Sequence, residues 1–568
     1  MSTKLRMSAI GHQYADTAGR GHRGFTRQIS STPSCANLTR KLLPVEASER
    51  DSGLRLAELL AAFSLAMDLG LGQPMEHVLR SWLIAARLGE HVGLDPEQRG
   101  SLYYMATLGW VGCVADTPEV ATWFGDDIAY RGDSYLVDLA GLPMLGFMLR
   151  HVGAGKPAMH RLRLAANMVV AGGAAIERGL MSHCLTTARM AERIGLGTEV
   201  GEPLQHFFAR WDGKGVPGGV GGESIALPMR LFHLADTVEV FHRAEGTDAA
   251  LEMARDRRGR QFDPALVDTF CAVATDVLGD PATDADWNAL IAEEPSLQRR
   301  LSEGELDAAL EAIADFTDLR SPSRAGHSRG VADLAARAAA HAGRPAAEII
   351  TLRRAGLLHD IGLHGVPASI LDKAGPLSKS ESERMRLHAY YTERMLARPP
   401  VLARLGAIAS LTHERCDGSG YHRGLAGPAI PAAGRLLAAA CAYRAMTEPR
   451  SHRPAMTGKQ ATAELRAEVR AGRLDANAVD AVLAGAGQSR GKRQTGPAGL
   501  TPRELEVLIL IARGASNRQV AQALGITAKT AGTHIERIYS KTGASTRSTV
   551  TLFAMQHGLL ETLEPFDL

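Results

Sequence analysis

The sequence predicts an all-α protein built from two related helical domains and a small four-helix domain. Hydrophobic residues make up 45% of the 568 residues and aromatic residues only 5%, and Ala and Leu are abundant, which is typical of a helical globular protein. One segment is repeated 205 residues later, and the C-terminal segment carries the capping residues of successive helices. The length predicts three or four domains, because a single core does not extend over so long a chain.

Bulk properties exclude several classes of protein. The net charge of +2 gives no argument for nucleic-acid binding, which must rest on local motifs. Six cysteines are scattered without a CxxC pair, which predicts reduced thiols in a cytoplasm rather than disulfides or structural zinc. The most apolar run, residues 54–75, contains charged side chains and is not expected to span a membrane. Residues 1–50 are basic and lack the apolar core of a secretory signal, and they predict a disordered tail.

The internal repeat defines the domain organisation. Residues 211–217 match residues 416–422, and residues 230–241 match residues 435–446, at the same offset of 205 residues. These matches predict two copies of one helical domain. The predicted segments after the tail are a first copy at 51–275, a connecting helical linker at 276–318, a second copy at 319–487, a flexible basic linker at 488–497 and a C-terminal domain at 498–568.

The first copy is longer than the second. An insertion of about 45 residues lies between Cys113 and His183, in a stretch that the second copy lacks. The linker between the copies has apolar residues at helical spacing and predicts a helix. The basic linker after the second copy is rich in Gly, Gln and Ser, which predicts a separate domain beyond it.

The C-terminal domain begins with a capping box. Thr501 is the predicted N-cap, Pro502 takes the first helical position and Glu504 stands three residues after the cap. Ser516 and Thr527 are suited to cap a second and a third helix, and a fourth helix is predicted to follow. Because only a short turn separates the second helix from the third, the pair predicts a helix-turn-helix.

Residues 498–562 resemble the LuxR-type helix-turn-helix DNA-binding domains. Lys and Arg exceed Asp and Glu by four over residues 500–560, the local excess that binding to a phosphate backbone needs. The resemblance implies that the third helix enters the major groove of double-stranded DNA and that the chain acts as a homodimer. It implies base contacts from Gly532, Thr533 and Glu536, and phosphate contacts from Asn517, Lys529 and Arg537. A helix-turn-helix used only for dimerisation is the alternative.

The second copy contains the adjacent pair His359 and Asp360 at the end of an apolar helix. Such a pair can present a nitrogen and an oxygen ligand to one metal ion. A lone histidine is more often a packed residue than a ligand, but three more occur in order around the pair. These are His327, His388 and His413.

In this order the residues resemble the HD superfamily of metal-dependent phosphohydrolases, and specifically its HD-GYP branch. The resemblance implies one ion held by His327, His359 and Asp360, and a second ion held by His388 and His413 with Asp360 as a bridge. The mixed nitrogen and oxygen set suits a divalent transition metal, with Fe or Mn first. Such a metal polarises phosphoryl oxygens and activates a bound water, so the resemblance implies phosphoester hydrolysis with Asp360 as the catalytic residue.

The second copy departs from the HD-GYP pattern at four positions. Cys441 stands where a metal-binding aspartate is usual, and Thr412 replaces the first of two paired histidines. Leu363 replaces a lysine that usually follows the HD pair, and His422 replaces the last residue of the Gly-Tyr-Pro triad. A thiolate can coordinate a metal but is a softer ligand than a carboxylate. These departures predict a single-ion site or a weak enzyme rather than a complete two-ion site.

The first copy has lost the paired ligands. Gly109-Trp110 stands in place of the HD pair, and Phe207-Phe208 stands in place of Thr412-His413. The candidate ligands that persist are His77, His183 and Asp236. This set is too small to hold a metal tightly, and the first copy is predicted to be a scaffold or a sensor.

Together these motifs predict a cytoplasmic DNA-binding transcription regulator whose HD domains sense or process a phosphorylated small molecule, with a nucleotide as the expected class. Coupling of this kind requires a ligand that binds two states of the protein differently. One alternative is an active metal-dependent phosphodiesterase, acting on a cyclic dinucleotide or nucleotide and localised by its DNA-binding domain. A further alternative is a metal-free HD pair that serves as a platform for protein interactions.

Overall fold

The computed structural model describes residues 53–279, 287–487 and 497–560. Within these ranges the chain forms helices joined by turns, and its β-type pairings are isolated bridges. The predicted all-α fold is confirmed. The predicted tail at 1–50 and nearly all of the predicted linker at 488–497 lie outside the described residues.

The first copy is a helical domain with the predicted insertion in its middle. Its helices before the insertion are α1 (Leu56–Gly70), α2 (His77–His91) and α3 (Pro96–Gly109). The inserted part contains α4 (Cys113–Phe124), α5 (Asp127–Ser134), α6 (Gly141–His151) and the first half of α7 (Ala158–Arg193). The domain continues with α8 (Thr198–Leu204), α9 (Leu227–Glu245), α10 (Thr247–Arg257) and α11 (Pro264–Leu278).

The second copy repeats this order without the insertion. The segment between the copies contains α12 (Trp287–Glu293) and α13 (Glu303–Asp318). The helices that follow are α14 (His327–His341), α15 (Ala346–Leu358), α16 (Ala368–Leu371), α17 (Lys379–Met395), α18 (Pro400–Ala409), α19 (Ala432–Thr447), α20 (Gly458–Arg470) and α21 (Ala476–Ala486).

Helix α13 occupies in the second copy the place that α1 occupies in the first. Asp68 near the end of α1 accepts a hydrogen bond from the backbone N–H of Val78, at 2.9 Å. Asp318 at the end of α13 accepts the corresponding bond from the backbone N–H of Ser328, at 2.8 Å. In each copy this carboxylate satisfies a backbone donor in the first turn of the helix that carries the first histidine. The segment predicted as a connecting helix therefore has the local structure of a domain's first helix.

The repeat is also visible in equivalent ion pairs. Arg230 donates to Asp263 at 2.5 Å in the first copy. Arg435 donates to Asp475 at 2.9 Å in the second copy. Each aspartate also caps the helix that follows it. The same pair thus ties α9 to α11 and α19 to α21.

Buried ion pairs join the two copies. Arg320, which is 1% exposed, donates to Asp127 of the first copy at 3.1 Å. The same carboxylate accepts from the backbone N–H of Ala368, at 2.8 Å, and from Arg131. Buried charges are stable only when paired and hydrogen-bonded, so breaking this network would leave unpaired charges in the interface.

The C-terminal domain contains the four predicted helices. They are α22 (Pro502–Ala512), α23 (Asn517–Leu524), α24 (Ala528–Thr542) and α25 (Arg547–Gln556). Thr501, Ser516 and Thr527 cap the first three as predicted, and Thr546 caps the fourth. The predicted helix-turn-helix consists of α23 and α24.

The C-terminal domain lies against the first copy and α13. Ser182 and Thr546 share a hydrogen bond of 3.0 Å, and Arg189 donates to the carbonyl of Gly543 at 3.0 Å. Both first-copy residues belong to α7. Among the described helices, none has the length and apolar character required to cross a membrane.

Candidate metal centre and DNA-binding surface

Five helices of the second copy bring its ligand-type side chains together. His327 is the first residue of α14 and follows Gly326, whose φ of 78° lies in the left-handed region that suits glycine. The other candidate residues stand at the end of α15 (His359 and Asp360), within α17 (His388), after α18 (His413) and within α19 (Cys441). The elements are far apart in sequence, so the site exists only in the folded domain.

These side chains form two groups that meet at Asp360. Ligand atoms of His327, His359 and Cys441 lie within 4.8 Å of one another, and so do those of Asp360, His388 and His413. Asp360 Oδ2 is 3.1 Å from His359 Nε2, and Asp360 Oδ1 is 3.9 Å from His388 Nε2. The carboxylate therefore lies between the groups, at the position where the resemblance implied a bridging ligand. All five predicted residues are brought together, and Cys441 joins the first group.

Three of the imidazoles are held so that Nε2 faces the site. Nδ1 of His327 is 2.6 Å from Glu448 Oε2. Nδ1 of His359 and of His388 lies 2.7 Å and 2.6 Å from the backbone carbonyls of Gly356 and Met385. A carbonyl or carboxylate oxygen can only accept, so Nδ1 carries the proton and Nε2 keeps its lone pair. Outer partners of this kind are what orient histidines that bind metals.

Burial keeps the imidazoles neutral. It lowers the pKa of His327 to about 3 and that of His388 to about 4. The pKa of His359 also lies well below its usual range, because of burial and the neighbouring His327. Neutral imidazole is the form that binds a metal. His388 Nε2 is buried without a hydrogen-bond partner, so this atom fits a metal ion better than it fits an apolar core.

Cys441 is compatible with the first group but changes its chemistry. The thiol is 5% exposed, and its Sγ lies 3.9 Å from His327 Nε2 and 3.8 Å from His359 Nε2. Burial raises the pKa of this thiol, so it is protonated unless a cation replaces the proton. Two imidazoles and a thiolate form a softer set than two imidazoles and a carboxylate.

The turn after α18 positions His413. The ring of Tyr421 stacks on His413, with centroids 4.7 Å apart and planes at 16°. The guanidinium of Arg386 lies over the Tyr421 ring, 5.0 Å from its centroid. Arg386 also donates to the carbonyl of Gly420 at 2.9 Å. A Cβ at Gly420 would lie 2.5 Å from Glu414 Cα, so only glycine permits this turn. The remnant of the Gly-Tyr-Pro motif thus holds one imidazole in place.

Three functional candidates were missed in the sequence. Glu448 orients His327, the guanidinium of Arg324 contacts the carboxylate of Asp360, and Arg450 donates to Glu448 at 3.0 Å. Burial lowers the pKa of Arg324 to about 10, so it remains a cation at neutral pH. Cations beside a metal site suit a phosphorylated ligand. None of the three belongs to a short motif, so no sequence signal marked them.

At the equivalent site of the first copy, two of the retained ligand-type residues are held by hydrogen bonds to neighbouring side chains. His77 is buried, with Nδ1 2.5 Å from Glu239 Oε2 and Nε2 3.2 Å from Asp236 Oδ1. Tyr135 donates to Asp236 at 3.0 Å, and Trp110 donates to the same carboxylate at 3.4 Å. Because His77 and Asp236 bond to each other and to these neighbours, they do not present free ligand atoms to a metal.

Aromatic rings occupy the remainder of that site. The ring of His183 stacks on Phe207, with centroids 5.4 Å apart, and its Nε2 bonds to the carbonyl of Gly109 at 2.7 Å. Trp110 meets Phe207 edge to face at 4.9 Å. A Cβ at Gly109 would lie 2.1 Å from the Phe207 ring, so the glycine and the phenylalanine fit each other. The persisting ligand residues of the first copy are therefore packed as parts of a core.

The predicted DNA-binding residues lie on the surface of the helix-turn-helix. Asn517, Lys529, Thr533, Glu536 and Arg537 are exposed and Gly532 is half-buried. Ile535 and Ile538 face the core, with exposures of 7% and 0%, as predicted. Among the described residues, none buries the outer face of α24. Asn517 differs from the others because its side chain accepts a hydrogen bond from Arg547 at 2.8 Å.

Two family models match the chain. A model of the HD domain matches residues 311–478, which begin within α13 and include the whole candidate metal centre. A model of bacterial regulatory proteins of the luxR family matches residues 498–554, which include the helix-turn-helix.

Known proteins are similar to both parts. The 3′3′-cGAMP-specific phosphodiesterase 3 of Vibrio cholerae is 29% identical over 408 residues, which are 71% of this chain and 88% of that protein. A crystal structure of a cyclic GMP-AMP specific phosphodiesterase of V. cholerae is 25% identical, with a TM-score of 0.54 over 77% of this chain and 99% of the other. The response regulator protein VraR of Staphylococcus aureus is 45% identical over 62 residues, which are 11% of this chain and 30% of that protein.

Proposed function

We propose that this chain, which carries an HD domain and a LuxR-type helix-turn-helix domain, is a DNA-binding transcription regulator whose second HD-type copy senses or processes a phosphorylated nucleotide. The observation that carries the proposal is the presence in one chain of a convergent His and Asp cluster and an exposed recognition helix. One relative is named for 3′3′-cGAMP, and this supports a nucleotide as the ligand class. As a regulator of transcription, the chain would act in the cytoplasm as a homodimer.

The second copy offers ligands for a divalent transition metal, with Fe or Mn as the expected ions. One ion would be held by His327, His359, Asp360 and Cys441. A second ion, or the substrate, would be bound by Asp360, His388 and His413. Such an ion supplies Lewis acidity to phosphoryl oxygens and lowers the pKa of a bound water. The orphaned Nε2 of His388 supports this assignment, because an unpartnered buried nitrogen is costly in an empty core.

The protein's own residues then bind and orient the phosphate. Arg324 and Arg450 supply positive charge at the site, and Arg324 already pairs with Asp360. A phosphodiester that approached this site would compete for the same guanidinium, so Arg324 would exchange one anionic partner for another. Asp360 would help to position three adjacent imidazoles, since its carboxylate oxygens lie within 4 Å of a nitrogen of each.

DNA binding is tested by the salt dependence of the complex. We expect Lys529→Ala to weaken binding to double-stranded DNA and to reduce the slope of log K against log salt by about 1, because one phosphate contact is lost. Lys459→Ala removes the same charge from the exposed surface of the second copy and is the matched control. Mobility shifts at several salt concentrations measure both variants. Identical slopes for the two would show that α24 does not face DNA.

A second candidate function is an active phosphodiesterase that acts on a cyclic dinucleotide such as 3′3′-cGAMP. The similarity over 88% of a cGAMP-specific phosphodiesterase, together with the five converging residues, favours it. The decisive experiment measures metal content and hydrolysis of 3′3′-cGAMP in one preparation supplied with Mn or Fe. Hydrolysis that disappears in Asp360→Ala would establish the enzyme. Bound metal and bound nucleotide without turnover would establish a sensor, and a protein that retains no metal would support a protein-interaction platform instead.

A further inference from the structure

A large cavity lies in the first copy, between the inserted helices and the aromatic residues that replaced the metal site. Its volume is about 570 Å³, within the range of small-molecule sites. The walls carry Trp110, Trp123 and Tyr130, and the methionines Met144 and Met148 lie beside them. Rings and thioethers of this kind favour a ligand with an aromatic body, because they offer flat and polarisable contact surfaces.

One acidic group in this wall lacks a partner. Glu119 of α4 lines the cavity, and its Oε2 is buried without a hydrogen-bond partner. Burial raises the pKa of this carboxyl to about 7. A buried polar atom without a partner costs free energy, so a ligand that supplies a donor or a positive charge there would be stabilised.

Three arginines line the same cavity, and two of them are paired with carboxylates. Arg131 donates to Asp116 at 2.6 Å and to Asp127 at 3.1 Å. Arg210 pairs in the same way with Asp138 and Asp212. The third, Arg257, donates to the carbonyl of Tyr135 at 3.1 Å and to Gln261 at 3.2 Å. An anionic ligand would have to compete with the partners of all three, whereas a cation would meet the unpartnered carboxyl of Glu119 and the faces of the rings.

We propose that this cavity binds a lipophilic aromatic cation, with Glu119 as its counter-charge. The site lies in the copy that lost its metal ligands, and it uses none of the residues of the candidate metal centre. It is built from the insertion that the second copy lacks, since α4, α6 and α7 supply much of its wall. The proposal does not depend on the proposed function, because it concerns a different ligand and a different pocket.

Rhodamine 6G is a suitable probe, since it is an aromatic cation whose fluorescence anisotropy rises when it binds. We expect saturable binding to the full-length protein, and at least a tenfold weaker affinity for Glu119→Gln, which keeps the shape of the side chain but removes the charge. The anionic dye 8-anilinonaphthalene-1-sulfonate should not compete with rhodamine 6G for the wild-type protein.

A second variant tests the cavity itself. Ile176 of α7 lines the cavity and is half-buried, so Ile176→Trp should fill part of the space and abolish binding. Leu162→Ser on the same helix changes a residue that is 64% exposed, and it should bind like the wild type. The proposal is overturned if rhodamine 6G does not bind saturably, if Glu119→Gln or Ile176→Trp binds it as the wild type does, or if the anionic dye displaces it.

Discussion

The two copies fix their first histidine in the same way but with residues from different positions. His77 of the first copy has Nδ1 2.5 Å from Glu239, and His327 of the second has Nδ1 2.6 Å from Glu448. At the repeat offset of 205 residues, however, Glu239 corresponds to position 444 and not to 448. The carboxylate comes from the next turn of the equivalent helix.

An exchanged ion pair explains this shift. The first copy pairs Glu239 with Arg243 at 3.0 Å, and the second pairs Arg444 with Glu448 at 2.9 Å. Acid and base have changed places, one helical turn apart, while the pair itself is retained. A geometric role can therefore persist although neither residue that performs it is kept at its position.

The protonation of the two histidines differs much more than their geometry. Burial opposes the charge on His77, but Glu239 and Asp236 outweigh it and raise the pKa to about 10. Burial lowers the pKa of His327 to about 3, because Arg324 and Arg450 offset the attraction of Glu448. In the first copy His77 is therefore a cation paired with carboxylates, whereas in the second copy His327 is a neutral imidazole that can bind a metal. The neighbouring charges determine whether the histidine at this repeated position is protonated or neutral.

The largest expected difference between the two copies is in metal binding, and it is tested by the loss of Asp360. We expect Asp360→Asn to lose bound metal, with a fall in affinity beyond the about 10- to 100-fold that removal of an outer hydrogen-bonding partner costs. Asp236→Asn, which changes a carboxylate of the first copy, should keep the metal content of the wild type. Elemental analysis and titration with Mn measure both variants. Equal loss of metal in the two would mean that the copies share the ion.

The packing of the first copy predicts the next largest effect. Phe207 is 4% exposed and is surrounded by Trp110, His183 and Phe208, so Phe207→Ala should cost about 3–5 kcal/mol. The hydroxyl of its counterpart Thr412 donates a hydrogen bond to the carbonyl of Ala409 at 2.7 Å. Thr412→Ala should therefore cost only about 1 kcal/mol. Urea unfolding measures the loss of unfolding free energy in both variants. Similar losses would refute the interpretation that packed aromatic rings stabilise this site in the first copy.

In the metal-free protein, the contributions of His77 and His327 to stability should depend on pH with opposite signs. The stability that His77 contributes is complete below pH 6.5 and is lost as the pH rises through about 10, because its folded pKa is raised. The pKa of His327 is lowered, so the stability that His327 contributes is complete above pH 6.5 and is lost as the pH falls towards 3. Hydrogen exchange, corrected for intrinsic rates, should show α14 opening at pH 5 and α2 opening above pH 9. His77→Gln and His327→Gln should each remove one of the two trends, and trends of equal sign would contradict the assignment.

Exchange of Cys441 should have the smallest effect. Cys441→Asp restores the carboxylate that the first copy keeps as Asp236, and it should shift preference from Zn towards Mn by on the order of tenfold without loss of binding. Cys416→Ser changes a half-buried cysteine outside the site and should leave the preference unchanged. Competition between the two ions measures the shift. An unchanged preference in Cys441→Asp would place the thiol outside the coordination sphere.

Much of the fold could be predicted because the local signals are strong. The capping residues Thr501, Ser516 and Thr527 each satisfy backbone donors within their own helix, so they can be recognised without knowledge of the tertiary structure. The candidate ligands could be predicted for a similar reason, since their order along the chain is retained. The place of α13 was missed, although the matching spacing of Asp68 and Asp318 before the two histidines is visible in the sequence.

Other parts of the site depend on contacts that no short pattern records. Glu448 and Arg324 reach the candidate metal centre from outside its motifs, and the exchanged ion pair removes the alignment signal for Glu448. The cavity beside Glu119 arises from the insertion, which has no counterpart in the second copy against which it could be compared. Its shape depends on how α4, α6 and α7 pack, and packing is decided by tertiary structure.

The length of α7 has a thermodynamic consequence. This helix has 36 residues, or about 54 Å at 1.5 Å per residue. It lines the cavity of the first copy with Ile176 and holds the DNA-binding domain with Ser182 and Arg189. If an occupant of the cavity moves α7 and thereby changes the affinity of this domain for DNA, linkage makes the effect reciprocal. The factor by which the occupant changes the affinity for DNA is the factor by which DNA changes the affinity for the occupant.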